Sequence, residues 1–367
     1  MDLIQVINCI GSLDEAAMAA ARERQTMLAK PPGSLGKLEA LSVQMAGIYG
    51  SIDRPVEKKQ LLVFAADNGV VAEGVSSAPP MVTLRQTINL AYGKTGAAVL
   101  CRHFGCGMTV CDVGVSAKID DPLILDRKIA YGTGDIAKGP AMSREQAERA
   151  VLTGAELAME CQADMIGIGE MGIGNTTTAS AVLAVLLEAE AEAVTGRGGG
   201  ITDEAFARKK QVIKAAIKRA NASKDDVLGL MAELGGFDIA AMCGAFLGAA
   251  ASRRPAVIDG AISAVAALCA VRICPRTRDY LVSSHASYEI GYKKAMQALG
   301  LEPMLRLDMR LGEGSGCPLA FQILTAAWAI LRDMASFEEA GIDDSYLEPI
   351  RQGDKFSVGE KGAESGA

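Results

Sequence analysis

Glu313 stands in Leu311-Gly312-Glu313-Gly314-Ser315-Gly316, a carboxylate with glycine on either side and a third glycine two residues on. Glycines let backbone approach a ligand closely and give the carboxylate little shelter from it. The run before it, Met304 to Asp308, alternates leucine with charge, and the run after it opens a long apolar helix at about Cys317. That pattern predicts strand, tight turn, helix. In an open α/β sheet ligands sit beyond the carboxyl ends of the strands, so Glu313 becomes a candidate general base at the mouth of such a crevice. The competing reading is a solvated turn glutamate, the usual fate of a loop acid.

A second chemistry-bearing stretch is Ile166-Gly167-Ile168-Gly169-Glu170-Met171-Gly172-Ile173-Gly174-Asn175-Thr176-Thr177-Thr178. Glycines followed by hydroxyls at the start of an Ala/Leu helix present free amides, suited to a phosphate. Gly167, Gly169 and Gly172 also match G-x-G-x-x-G, which would suggest a dinucleotide and a nicotinamide-dependent dehydrogenase. That reading requires a further strand ending in an acid about 20 residues on. Glu188, Glu190 and Glu192 lie at that distance, but in a helical pattern with no intervening strand. Gly196 to Gly200, with Arg197, forms another amide-rich loop, and Lys209 follows on the next helix. Ser283-Ser284-His285-Ala286-Ser287 offers hydroxyls at a strand end. Ser287 reads as a binding residue and His285 as structural, since adjacent Ser and His do not make a triad. Gly74 to Met81, with Arg85 and Gln86 beyond it, is a loop fit to overhang a crevice and border a flat ring. Gly93-Lys94-Thr95 lacks the first glycine of a P-loop, Ile88 standing there, so a nucleoside triphosphatase is excluded.

These groups need a scaffold, and the chain supplies apolar runs at regular intervals. Strands are predicted at Leu61–Ala66, Met108–Val113, Met165–Ile168, Ala256–Ile258, Tyr280–Ser283 and Met304–Asp308. Helical patterns lie between most of them, as at Met81–Leu90, Ser143–Glu160, Asp203–Ala220, Ile239–Ala251 and Ala261–Cys274. Strands alternating with helices indicate a Rossmann-like α/β fold, a parallel sheet with helices on both faces. Leu13–Ala29 and Leu35–Tyr49 read as a helical hairpin broken at Pro31-Pro32, with Ser34 as cap of its second helix. The expected division is a catalytic domain over 55–316, a small helical domain from 1–54 and 317–352, and a disordered tail over 353–367.

Composition narrows the function classes. The 367 residues are 50% hydrophobic but only 4% aromatic, with 40 glycines, which favours close-packed helices on a sheet. A net charge of −7 argues against nucleic acid or an anionic membrane as partner. Nine cysteines scattered through apolar runs look like buried thiols of a reducing cytoplasm. The spacing of Cys101, His103, Cys106 and Cys111 does not suit a structural zinc, so no metal is expected. No secretory signal or membrane span is read.

Together, Lys30-Pro31-Pro32-Gly33-Ser34-Leu35-Gly36, Gly169 to Thr177 and Leu311 to Gly316 resemble the signatures of the nicotinate-nucleotide:dimethylbenzimidazole phosphoribosyltransferase family. The resemblance runs from about residue 30 to residue 316. It implies transfer of the phosphoribosyl group of nicotinate mononucleotide to a benzimidazole-type nitrogen, giving an α-ribazole phosphate and nicotinate, with no cofactor and in a homodimer. By the same resemblance Glu313 is the catalytic glutamate and Glu170 stabilises the ribose cation or holds its hydroxyls. Gly174, Asn175, Thr176, Lys209 and Ser287 would cradle the phosphate, Ser76 and Gln86 would border the acceptor, and Gly172 and Gly312 would line the same site. The Ser76–Gln86 loop matches only loosely. A purine or phenolic acceptor and a paired paralogue therefore stay open, beside a non-catalytic nucleotide-binding module from a different class.

Overall fold

The computed structural model describes residues 1–348. Six strands form one sheet: β1 (Lys59–Ala66), β2 (Gly107–Gly114), β3 (Ile124–Asp126), β4 (Met165–Met171), β5 (Ala256–Ile258) and β6 (Leu281–Ser283). Their order is β3-β2-β1-β4-β5-β6, and every neighbouring pair is parallel. β4 is buried along its whole length and β1 from Leu61 onward, as strands covered by helices on both faces must be. The strand order reverses between β1 and β4, which places the ligand crevice beyond their carboxyl ends. No helix among the described residues is long and apolar enough to cross a membrane.

Low aromatic content is matched by close helix packing. Helix Phe237–Ala251 is buried from Phe237 to Ala250 and lies against helix Arg144–Glu160. The approach depends on Gly154, Gly244 and Gly248: a methyl on any of them would run into a carbonyl of the facing helix. Small residues thereby replace large side chains as the means of filling space.

The chain divides into two compact units, one of Met1–Ser12 with Glu57–Gln322, the other of Leu13–Val56 with the chain from Ile323 onward. The first twelve residues, expected in the small helical domain, therefore belong with the sheet. Helix Leu3–Asn8 buries Leu3 and Val6 and packs on helix Phe237–Ala251, while Tyr280 Oη donates to the Gly11 carbonyl at 2.9 Å. The other boundary falls inside helix Cys317–Asp333, which a sequence division at residue 316 would have kept whole. In the second unit, helices Glu15–Met27 and Lys37–Tyr49 pack together, Trp328 Nε1 donates to the Arg54 carbonyl at 2.8 Å, and Leu28 bridges Ser336. The tail expected to be disordered, 353–367, lies outside the described residues.

Three local expectations are corrected. Met304–Asp308 is not a strand of the sheet. Leu305 makes one bridge with His285, and Asp308 then takes φ +51°, which no extended strand tolerates. β3 was not expected, being only three residues long after Asp120-Asp121-Pro122. Ser34 does not cap the second hairpin helix. Gly36 occupies that position at φ +52°, without a side-chain hydrogen bond.

Candidate active site

The crevice at the β1/β4 switch holds a cavity of about 290 Å³. Of the residues expected at a site, Ser76, Gln86, Glu170, Gly172, Gly174, Asn175, Thr176, Ser287, Gly312 and Glu313 all line it. Lys209 does not. It is 1% exposed and stands behind the wall, where its Nζ donates to Thr176 Oγ1 at 2.8 Å.

Glu313 reaches the cleft from a loop, not from the end of a strand. It is 5% exposed and its backbone has φ +63°, the left-handed region where a side chain is costly unless the surroundings impose it. What imposes it is Asp259, in the loop after β5, whose two carboxylate oxygens accept from Gly314 N at 3.1 Å and Gly316 N at 2.7 Å. The Glu313 carboxylate accepts from Ala97 N at 3.3 Å, in the first turn of helix Gly96–His103, and lies 3.5 Å from Gln86 Nε2. Burial raises its pKa, partly offset by the Ala97 amide and the Thr95 hydroxyl. A carboxylate raised in this way is a better proton acceptor than a solvated one.

Glu170 lies near the end of β4, paired in register with Phe64 of β1. Burial, then repulsion from Asp238, pushes its pKa up to about 8, against the Asn175 amide, which pulls it down. Its Oε2 accepts from Asn175 Nδ2, and a methyl on Gly312 would sit 2.7 Å from its Oε1. Gly312 (φ +82°) therefore matters as bare backbone, letting the Glu313 loop close over Glu170. Asp259 and Asp238 are also raised, chiefly by burial, to about 7 and about 6. His285, beside Asp259 and Ser284, is lowered by burial and so stays neutral. It also lines the cavity, although the sequence reading made it structural.

Met171-Gly172-Ile173-Gly174 carries the chain from β4 to helix Asn175–Leu186, with Gly174 at φ +93° and no side-chain cap. Asn175 N donates to the Gly172 carbonyl at 3.2 Å and Thr177 N to that of Gly174 at 2.9 Å, so Gly174 and Thr176 carry the amides that can face a phosphate. Lys209, pushed down to about 8 by burial, holds Thr176 from behind, with Glu289 close enough to oppose the shift. Across the cleft stand Val75, Val82, Met171 and Leu311, apolar sides for a flat ring.

The G-x-G-x-x-G match has a different cause. Gly167 and Gly169 lie inside β4, and a methyl on Gly169 would fall 2.5 Å from Gly314 Cα, while one on Gly167 would meet Cys317 Cβ at 2.6 Å. These glycines admit the Glu313 loop and the helix behind it, and do not form a pyrophosphate turn. Sequence reasoning missed Asp238, Asp259 and the Thr95–Ala97 helix start. The available signal was a lone acid inside an otherwise apolar segment, as in Gly236-Phe237-Asp238-Ile239 and Val257-Ile258-Asp259-Gly260. Among the described residues no group of His, Cys, Asp and Glu is set to hold a metal ion.

Residues 10–342 match a family described as phosphoribosyltransferase. The chain is 45% identical over 359 residues to a nicotinate-nucleotide–dimethylbenzimidazole phosphoribosyltransferase of Clostridium perfringens, covering 97% of this chain and 99% of that one. A protein of the same name from Ruminiclostridium cellulolyticum is 47% identical over 346 residues, covering 94% and 98%. A crystal structure of the enzyme of that name from Thermus thermophilus superposes with a TM-score of 0.85 at 39% identity, covering 90% of this chain and 99% of the other.

Proposed function

We propose, because the chain belongs to the nicotinate-nucleotide–dimethylbenzimidazole phosphoribosyltransferase family, that it transfers the phosphoribosyl group of nicotinate mononucleotide to 5,6-dimethylbenzimidazole or a closely related azole. The observation that carries this reading is the meeting of Glu313 and Glu170 in one cleft with the glycine loop and helix start at residues 172–176. The phosphate rests on the start of helix Asn175–Leu186, at Gly174, Asn175 and Thr176, with Lys209 behind Thr176 and Ser287 opposite. The acceptor ring lies between Val75, Val82, Met171 and Leu311, with Ser76 and Gln86 at its edge.

The nucleotide's pyridinium departs with the electron pair of its bond to C1′ and becomes a neutral ring, so no acid need assist it. Positive charge grows at C1′ and O4′ as that bond lengthens, and a carboxylate nearby stabilises it. Glu170, whose proton the positive charge of the bound pyridinium nucleotide would displace, is placed to supply that charge or to hold the ribose hydroxyls. An unprotonated azole nitrogen attacks C1′, and the resulting benzimidazolium gives its N–H proton to Glu313. The products are α-ribazole phosphate and nicotinate.

Incubation with nicotinate mononucleotide and dimethylbenzimidazole should release nicotinate and a new ribotide in equal amounts. Binding of the nucleotide without turnover would refute the transferase reading. Glu313→Gln should lower kcat by about 10²- to 10⁴-fold, the range of general-base catalysis, with nucleotide binding retained. Turnover near wild type would remove Glu313 as proton acceptor. Nine free cysteines suit a reducing cytoplasm, where we place the protein. The homodimer implied by the resemblance is read by sedimentation equilibrium, a monomer being the contrary result.

A further inference from the structure

Asp238 has no part in the scheme above, yet it touches the part that Glu170 plays. It occupies the second position of helix Phe237–Ala251 and is 0% exposed. Its Oδ1 accepts from Ile239 N at 3.0 Å and its Oδ2 from Asn175 Nδ2 at 2.9 Å. Gly172 and Gly236 leave room for the carboxylate, a methyl on Gly172 falling 2.6 Å from Oδ2. The Asn175 nitrogen carries two hydrogens, and both are engaged: the same Nδ2 donates to Glu170 Oε2 and to Asp238 Oδ2. A turned amide would set its oxygen against the Asp238 carboxylate. The carboxylate on the neighbouring helix thereby decides which end of the Asn175 amide faces Glu170.

We infer that Asp238 is a positioning residue that locks the Asn175 amide with its nitrogen toward Glu170 and so fixes the Glu170 carboxylate against the nucleotide's ribose. This rests on the reading of Glu170 given above. In Asp238→Asn the remaining oxygen serves Ile239 N, and the new amide group faces Asn175. Asn175 then turns its oxygen toward residue 238 and withdraws its hydrogen from Glu170. The loss of one hydrogen bond to Glu170, charged once the pyridinium nucleotide is bound, gives a fall in kcat of about 10- to 100-fold. The KM for dimethylbenzimidazole, bound on the other side of the cleft, stays unchanged. Thermal unfolding does not move down, since a buried charge has been removed.

The exchange variant Asn175→Asp with Asp238→Asn separates positioning from simple tethering. It restores a hydrogen bond between the two positions, with donor and acceptor swapped, but presents a carboxylate to Glu170. Positioning requires that kcat stay low in this variant although the hydrogen bond between the two positions is restored. Wild-type kcat in Asp238→Asn, or kcat restored in the exchange variant, overturns the inference. If Asp238→Asn does not fold, Asn175→Ala tests the same link, with the same fall expected and wild-type kcat overturning it. Glu170→Gln is the control. Full activity there defeats the reading of Glu170, whereas a slow Glu170→Gln beside a fully active Asp238→Asn defeats only the role of Asp238.

Discussion

Replacing Glu170 by glutamine should change how the protein's stability depends on pH, in a direction and by an amount that its surroundings specify. The carboxyl is buried 7% exposed, faces Asp238, Asp259 and Glu313, and keeps its proton up to about pH 8. In the unfolded chain it ionises near 4.5. Between those values the folded state binds one more proton than the unfolded state, so this group's contribution to stability falls as pH rises. One bound proton changes stability by about 1.4 kcal/mol per pH unit, and the fraction held from pH 7 to 8 brings the loss to about 1 kcal/mol. That window is chosen because Asp238 and Asp259 release their protons at about 6 and about 7. Lys209, lowered to about 8, begins to act in the opposite direction near the top of the window, but does so in both proteins. Denaturant unfolding at pH 6, 7 and 8, without substrates, should show wild type losing about 1 kcal/mol more than Glu170→Gln between pH 7 and 8. Parallel stability curves would mean that Glu170 is already ionised in the folded protein, and the account of a carboxyl kept neutral by burial would fail.

Two other substitutions probe the cleft from behind. Gly169→Ala puts a methyl 2.5 Å from Gly314 Cα and should push the Glu313 loop away. Thermal unfolding should report a loss of about 1–3 kcal/mol, the range for overpacking, and the turnover assay a loss of nearly all activity. Unchanged turnover would show that the loop moves without consequence. Lys209→Met keeps the bulk and removes the cation behind Thr176. It should raise the KM for nicotinate mononucleotide by about 10-fold or more, in line with a hydrogen bond to a charged group, with the acceptor's KM unchanged. An unaltered nucleotide KM would reduce Lys209 to a support for Thr176.

The sheet was legible because parallel strands covered on both faces must be written as continuous apolar runs, as in Leu61 to Ala66. Alternation misled at Met304–Asp308, where leucine and charge take turns as in a half-buried strand. There Leu307 is 50% exposed and only the His285 bridge forms. The glycine runs pointed to the cleft, but the sequence could not say which glycines face a ligand and which face another part of the chain. Gly169 meets Gly314, a partner far along the chain, and only the fold brings them together. The same distance hid Asp238 and Asp259. Their partners Asn175 and Gly314–Gly316 lie 63 and 55 to 57 residues away, so neither acid belongs to a local motif.

Glu170, Asp238, Asp259 and Glu313 are all raised by burial, and three of them share one cleft wall. Such a cluster is an expensive way to build a core, since each ionised group must be held by neutral donors in place of water. The arrangement makes sense if the cleft's occupant brings the missing charge. A pyridinium nucleotide carries a positive ring at the bond to be broken, and that charge passes to the ribose as the ring leaves. Carboxylates that are costly when the cleft is empty are then worth most at the moment the sugar is cationic, which is the condition for lowering a barrier and not merely for tight binding. The tethers follow the same logic. Asp259 fixes the loop that bears Glu313, and the Ala97 amide fixes the carboxylate itself. The proton acceptor need not reorganise as the azole approaches, because its position has been set by folding.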